Sequence, residues 1–562
     1  MSSSPDQPTV TLTQGRLIGT IREETAPQSV EAFLGVPYAL PPVGERRFKP
    51  AERVPASTQS IDATRFGPAA PGKALLAGGP KLEQSEDCLT VNIFRPAGTR
   101  DNHSLPVAIY IHGGAFNRGA ASMHDTGSMV AWSEEPFIGV SFGYRVGALG
   151  FLPSSLTKKE GVLNLGLRDQ VRLFEWVQEN IQAFGGDPGN VTLFGLSAGA
   201  HSVSYFEYPG FTAANGHEQI GHHLLNYKEE SSPLFHRVIL ESGSPTSRAV
   251  RPYDAKVHEQ QFQDYLREVG CPPDLHESEI FPFLRSLPSS TVTDAQTRVF
   301  DKYNPSLRWA FQPVIDEDII PRKPLDAWNS LLWNKVPIMT GFNSNEGTMY
   351  VDKKLSSPEG FRKFWQDLLP ELSENDLDTI DSLYPDPSSN PGSPYVEERD
   401  GYGLGPQYKR IEAAYGHYAY VAPVRQTAHF ASSQGVPVYL YNWAFPRTVV
   451  GRANHGDNMY YETYNSAITG ISESQKELSG TLHAYVTSFI AKGDPNAISG
   501  RYAERPEWKP FVPDNAHILI FGQGNEELIG GSTAPAAKFV KDDWAGEETK
   551  FWWSKVPISQ LA

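Results

Sequence analysis

The pattern G-x-S-x-G occurs twice in this 562-residue chain, as Gly139-Val140-Ser141-Phe142-Gly143 and as Gly195-Leu196-Ser197-Ala198-Gly199. A serine in this pattern can act as a nucleophile where a strand runs into a sharp turn and the turn into a helix. The turn is strained, so its neighbours must be small, and the residue after the serine must aim its N–H at a developing oxyanion. Ser197 meets these conditions: the apolar run 191–194 leads in, and Ala198-Gly199-Ala200 leads out toward a helix. Ser141 is followed by Phe142 and then Gly143-Tyr144-Arg145, with no helix start, and reads as a buried strand end. A second feature is His112-Gly113-Gly114-Ala115-Phe116, which follows the apolar run 107–111. Tandem glycines let a backbone approach a substrate and point N–H groups at one place, although the same pair also makes ordinary turns. A serine hydroxyl attacks only when a base takes its proton. His455 lies in a loop shortly after the run 438–443, and Glu346 follows the run 336–340. Loops at the C-terminal ends of strands are where α/β proteins gather catalysts. Asp316 and Asp318 rival Glu346 by charge alone. His417, His429, His483 and His517 are the other late histidines; His429 and His483 sit in helical patterns, where a packed or surface histidine is the plainer reading.

Several elements must position these groups. The runs 107–111, 137–142, 191–194, 238–241, 336–340 and 438–443 are short, apolar and bounded by Gly, Pro or Asn, and read as buried strands. Residues 167–183 repeat Leu173, Trp176, Val177 and Ile181 at helical spacing and stop before Gly185-Gly186. Alternating strand and helix predicts an α/β fold with a large, mostly parallel sheet covered on both faces. Residues 384–394, rich in Pro and Ser, read as a surface loop. Length alone suggests roughly three or four domains. The absence of repeats or linkers favours one catalytic domain over residues 1–562.

Composition narrows the function. Apolar residues make up 39% and charged residues 20%, as in ordinary globular chains. With 65 acidic against 49 basic residues the net charge is −16, which disfavours nucleic acid or an anionic membrane as partner. No apolar run reaches the roughly 18 residues of a membrane span. Scattered histidines such as His222-His223 lack zinc-site spacing, so no metal or organic cofactor is expected. The start, MSSSPDQPTV, has no basic or apolar leader, and the chain has two cysteines, Cys88 and Cys271. These points lead to the expectation of a cytoplasmic protein whose sequons at Asn102 and Asn190 stay unused.

The segment GGDPGNVTLFGLSAGA at 185–200 resembles the nucleophile segment of the type-B carboxylesterase and lipase family. FLGVPYALPPVGERRFKP (33–50), SEDCLTVNIFRP (85–96), YIHGGAF, YRVGALGFL, LNLGLRDQ, LFHRVILESGSP and TGFNSNEG follow in the family's order. The resemblance implies an α/β-hydrolase fold and a serine carboxylesterase acting on small-molecule esters through an acyl-enzyme. It implies an oxyanion hole made by Gly113, Gly114 and Ala198. It implies Glu346 as the acid and, through HGDNMYY, His455 as the base. It treats His112 and PVIDED, with Asp316 and Asp318, as structural. Two rival functions are a lipase on longer esters and a partner-binding relative without catalysis; serine, acid and histidine are all present here, which favours an enzyme.

The chain departs from the family in four places. Leu196 stands where much of the family carries Glu, which removes a charge that would attract a cationic substrate. The family's disulfide partners are missing, with Phe283 where a cysteine would follow Cys271. Residues 64–86 are short for a lipase flap, which favours soluble esters. Finally, residues 203–219 interrupt what would be one helix, SAGAHS joined to IGHHLLNY, and Pro209-Gly210 would break it. Val203-Ser204 permits a GTGAGT codon pair, Ala214-Asn215 permits GCTAAC and Gln219 permits CAG, so the stretch is expected to be a retained in-frame intron. Its rival is a lid-like insertion.

Overall fold

The computed structural model describes residues 7–22, 27–74, 82–203, 224–225, 234–247 and 250–561. In chain order the strands are β1 (Thr9–Leu12), β2 (Gly15–Ile18), β3 (Thr20–Arg22), β4 (Val30–Pro37), β5 (Ser60–Asp62), β6 (Thr90–Pro96), β7 (Leu105–Ile111), β8 (Ile138–Phe142), β9 (Gly186–Leu196), β10 (Arg237–Glu241), β11 (Ile338–Asn343), β12 (Val438–Trp443), β13 (His517–Phe521) and β14 (Ala537–Lys541). Among the described residues they form a small sheet, β1-β2-β5, and a large one ordered β14-β13-β12-β11-β10-β9-β7-β8-β6-β4-β3. From β8 through β7 and β9 to β13 the large sheet is parallel; β14 at one edge and β6, β4 and β3 at the other run antiparallel.

The continuous apolar runs have their cause in burial on both faces. Every residue of β8, β11 and β12 is buried, which is what a doubly covered parallel strand requires. Along β7, Val107 and Ile109 join one core with Leu173 and Trp176 of the helix Leu165–Asn180. Ala108 and Tyr110 join a second core on the opposite face, with Leu482 and Phe489 of the helix Glu473–Lys492. A third, aromatic cluster holds Ala115, Phe300, Trp309 and Tyr418.

Boundaries differ from expectation in identifiable ways. The expected helix 167–183 begins at Leu165, and its last turn is the tighter Ile181–Phe184, stopped by Gly185 in the left-handed region at φ 87°. β9 starts at Gly186, five residues before the apolar run, because Gly186 already pairs with Leu105. Cys88 is buried, Cys271 is half-buried, and both are free thiols. No helix among the described residues is long and apolar enough to cross a membrane. The reading of residues 203–219 falls outside the described residues except for Val203. The described part of the helix after the nucleophile is Ala198–Val203, and Leu224 N–H donates to Val203 O at 3.3 Å.

Candidate active site

β9 ends at Leu196 and the next residue, Ser197, takes φ 59°. A non-glycine residue in that left-handed region is strained and persists only where its surroundings over-determine it. Two backbone bonds hold it: Ser197 N–H donates to Glu241 O at 2.8 Å, and His201 N–H donates to Ser197 O at 2.9 Å. The small flanks have a steric reason. A Cβ on Gly199 would fall 2.0 Å from Ile111 O, at the end of β7. Ser141, in contrast, lies inside β8, fully buried, with Asn92 Nδ2 at 3.3 Å from its hydroxyl.

The glycine turn after β7 reaches the same place. A Cβ on Gly113 would sit 2.6 Å from Leu196 O and 3.1 Å from Ser197 Cβ, so this backbone lies against the nucleophile turn. Gly114, Ala115 and Phe116 all have positive φ (115°, 54° and 59°), and Asn117 Nδ2 ties the reversal by donating to Ala115 O at 2.9 Å. Neither Gly113 nor Gly114 N–H donates to another described residue. Ala198 opens its helix, so its N–H is one of the unpaired first-turn donors. His112 points back into the loop, with Nδ1 2.9 Å from Gly113 O and its ring stacked on Tyr144; burial lowers its pKa to about 4 and keeps it neutral.

Glu346 and His455 meet directly. Glu346 follows β11, accepts Asn343 N–H at 2.7 Å through Oε1, and faces His455 Nδ1 with Oε2 at 2.5 Å. The loop after β12 is tied to this point by Asn345 N–H donating to Ala453 O at 3.0 Å. His455 Nε2 is buried and has no hydrogen-bond partner among the described residues. A Cβ on Gly456 would lie 3.0 Å from Leu196 Cδ2, which puts the histidine loop beside the residue preceding Ser197. The groups therefore gather at the C-terminal ends of four parallel strands, β7, β9, β11 and β12.

The rival residues lie elsewhere or serve turns. Asp316 Oδ1 accepts Ile320 N–H at 2.8 Å and caps its own loop, and Asp318 pairs with Arg168. His417 contacts Tyr384 OH at 3.0 Å, His483 Nδ1 reaches Glu462 O at 2.8 Å, His429 packs on Trp553, and His517 faces Asn515 O. Sequence reasoning missed the aromatic wall. The rings of Tyr350 and Tyr420 stand 5.4 and 4.5 Å from that of His455, and Trp309 is 5.5 Å from Tyr350. Tyr350 follows Glu346 by four residues, a signal that could have found it; Trp309 and Tyr420 have no such local mark.

Residues 6–540 match the model of the carboxylesterase family. A secreted lipase of Gibberella zeae, "Secreted lipase 4", is 34% identical over 95% of this chain and 90% of its own length. A secreted triacylglycerol lipase of the same organism is 28% identical over 93% of this chain and 87% of its own. The crystal structure of Aspergillus niger EstA superposes with a TM-score of 0.80 at 25% identity, covering 100% of both chains. The names of the two Gibberella relatives overturn the expectation of a cytoplasmic protein and point to an extracellular setting. Scarce cysteines misled because a chain with cores on both faces of a large sheet needs no disulfide staple. The strained serine turn, the α/β-hydrolase sheet and the match over almost all of the chain lead to one conclusion: the chain belongs to the carboxylesterase family and is a carboxylic ester hydrolase.

Proposed function

We propose that Ser197, His455 and Glu346 form the catalytic triad of this ester hydrolase. Ser197 Oγ attacks the ester carbonyl while His455 Nε2 takes its proton. Glu346 holds the imidazole with Nδ1 protonated and stabilises the imidazolium. The N–H groups of Gly113, Gly114 and Ala198 hold the oxyanion. His455 then protonates the leaving alcohol, and water attacks the acyl-enzyme with His455 again as base. The observation that carries this reading is the Glu346–His455 contact at 2.5 Å, which leaves Nε2 without a hydrogen-bond partner among the described residues, in a loop whose Gly456 lies against Leu196.

The substrate is a neutral carboxylic ester. Leu196 supplies no charge beside Ser197, and the wall next to His455 is aromatic. A lipase on longer acyl chains is the second reading, favoured by the names of the relatives. Hydrolysis of p-nitrophenyl esters across acyl lengths tests both. Turnover on short soluble esters that is abolished in Ser197→Ala supports the esterase; activity that rises only above the solubility limit of long-chain esters supports the lipase. No turnover from the folded wild type on any ester sinks the triad.

The same reading takes residues 1–562 as one catalytic domain from which 203–219 are absent in the working protein. Removing them would place Ile220 after Ser202 and Leu224 four residues after Ile220. Ile220 would then take the place of Val203, whose O accepts Leu224 N–H at 3.3 Å, and four residues is the spacing of a helical bond.

A further inference from the structure

Beneath the nucleophile turn lies a set of acids that the hydrolytic steps leave unused. Glu241 ends β10 and Glu462 ends the short helix Met459–Glu462; both side chains are fully buried. Glu241, Gly341 and Tyr441 stand in register across β10, β11 and β12. A Cβ on Gly341 would fall 2.3 Å from the Tyr441 ring, so the glycine lets Tyr441 cross β11 and reach Glu241. The Tyr441 hydroxyl donates to Glu241 Oε1 at 2.9 Å, and Asn458 Nδ2 donates to the same oxygen at 2.8 Å.

The remaining polar atoms have only one another. Glu241 Oε2, both oxygens of Glu462 and His124 Nε2 have no other hydrogen-bond partner among the described residues. The two carboxyl groups lie within hydrogen-bonding reach, and His124 Nε2 is 3.1 Å from Glu462 Oε1. The other nitrogen of His124 meets Thr126 Oγ1 at 2.9 Å. Among the described residues no lysine or arginine pairs with either acid; the titratable groups that face them are His124, Tyr110, Tyr441 and, through Tyr441, Glu346. Two adjacent buried carboxylates without a cation cannot both stay ionised.

A proton on Glu241 Oε2 satisfies both Glu241 oxygens and gives Glu462 a donor. On Glu241 Oε2 it donates to Glu462, while Oε1 stays a carbonyl oxygen accepting from Tyr441 and Asn458. We propose that Glu241 is held as a neutral carboxylic acid whose bond to Glu462 acts as a positioning element, locking the turn of Ser197 to the loop of His455. The links are short. Glu241 O accepts Ser197 N–H at 2.8 Å, and Asn458, three residues after His455, joins the Glu241 side chain to that loop. Burial acts in the same direction. It pushes the Glu241 carboxyl well above its usual range, raises Glu462 to about 8 and lowers His124 to about 4.

The kinetic half of this inference rests on the ester-hydrolysis reading; the spectroscopic half does not. Glu241→Gln keeps an acceptor oxygen and a donor N–H, whereas Glu241→Leu keeps neither. The expected kcat is within about threefold of wild type for Glu241→Gln and about 30- to 100-fold lower for Glu241→Leu, with KM within about threefold in both. Infrared difference spectra at pH 7 are expected to show the carbonyl stretch of protonated carboxylic acid in wild type, with any band of Glu462 retained and the band of Glu241 lost in Glu241→Gln. The proposal is overturned if that band is unchanged, if Glu241→Gln is as impaired as a folded Glu241→Leu, or if Glu241→Leu turns over normally. Should Glu241→Leu fail to fold, the band and the Glu241→Gln kinetics decide alone. An active Ser197→Ala would sink the triad while leaving the infrared result intact, so the two failures are distinguishable.

Discussion

Ser141 and Ser197 sit in the same five-residue pattern, and what separates them is backbone conformation: one continues a strand, the other turns left-handed against β7. The difference was legible in the sequence because it is local. Phe142 stands where the second copy has Ala198, a small residue fully buried at the start of its helix, and Gly199 beyond it leaves no room for a side chain, since a Cβ at 199 would meet Ile111 O at 2.0 Å. At Gly113 the clash is with the nucleophile turn itself: a methyl there would meet Leu196 O at 2.6 Å and Ser197 Cβ at 3.1 Å, so the last residue of β9 must shift locally. Gly113→Ala is therefore expected to leave the protein folded and to lower kcat by about 10²- to 10³-fold through a disturbed oxyanion site, checked by steady-state kinetics beside circular dichroism; kcat within threefold of wild type would contradict it. Glu346→Gln keeps the shape of the contact but no longer fixes the imidazole tautomer, so kcat/KM is expected to fall about 10³- to 10⁴-fold. A loss under tenfold would remove Glu346 from the triad. Glu241 and Glu462 were not legible at all, because an acid at the end of a strand or of a short helix looks the same whether it faces water or a second acid.

Elements carry the next level. Each expected central strand is present, because a strand buried on both faces leaves an unbroken apolar run that needs no knowledge of its partners. Their ends were less legible: β9 begins with Gly186, which pairs with Leu105 from a distant part of the chain. The histidine loop has its own pH behaviour. Burial raises the Asp457 carboxyl to about 6, against the pull of Arg447, whose Nη1 lies 3.2 Å from Oδ1. A carboxyl raised in the folded state favours folding while protonated. Its contribution is complete below the unfolded value near 4 and is lost as pH rises through about 6, at a cost of about 3 kcal/mol at most. Relative to wild type, Asp457→Asn should therefore gain stability between pH 4 and pH 7, measured by denaturant unfolding at both; a constant difference would contradict the assignment. Glycosylation separates two other elements. Asn102 lies in an exposed turn, whereas Asn190 lies in β9 and accepts from Arg237 Nη1 at 2.6 Å. Secreted from a eukaryotic host, the protein is expected to carry one N-linked glycan, removed by mutation of Asn102 and unaffected at Asn190; intact mass before and after deglycosylation decides.

Among the described residues the large sheet carries a core on each face, and its size explains why compartment was misread from two cysteines. The family was legible because its motifs keep their order along the chain, and that order reflects the sequence in which strands deliver groups to a shared edge. Residues 203–219 belong to this scale. Leu224 N–H bonds to Val203 O across seventeen more residues than a helical turn contains. Transcript sequencing is expected to show these codons spliced out, and the shortened protein should melt higher than the full chain. A message that keeps them, with a full-length protein at least as stable and active, contradicts the excision.

The central claim is that Ser197 is the atom that forms the acyl-enzyme. The most direct measurement is peptide mass mapping of the protein after reaction with a fluorophosphonate ester. The account expects a single adduct on the peptide holding Ser197, stoichiometric with loss of ester hydrolysis and absent from Ser197→Ala. An adduct on the Ser141 peptide, or hydrolysis that survives complete labelling, would contradict it.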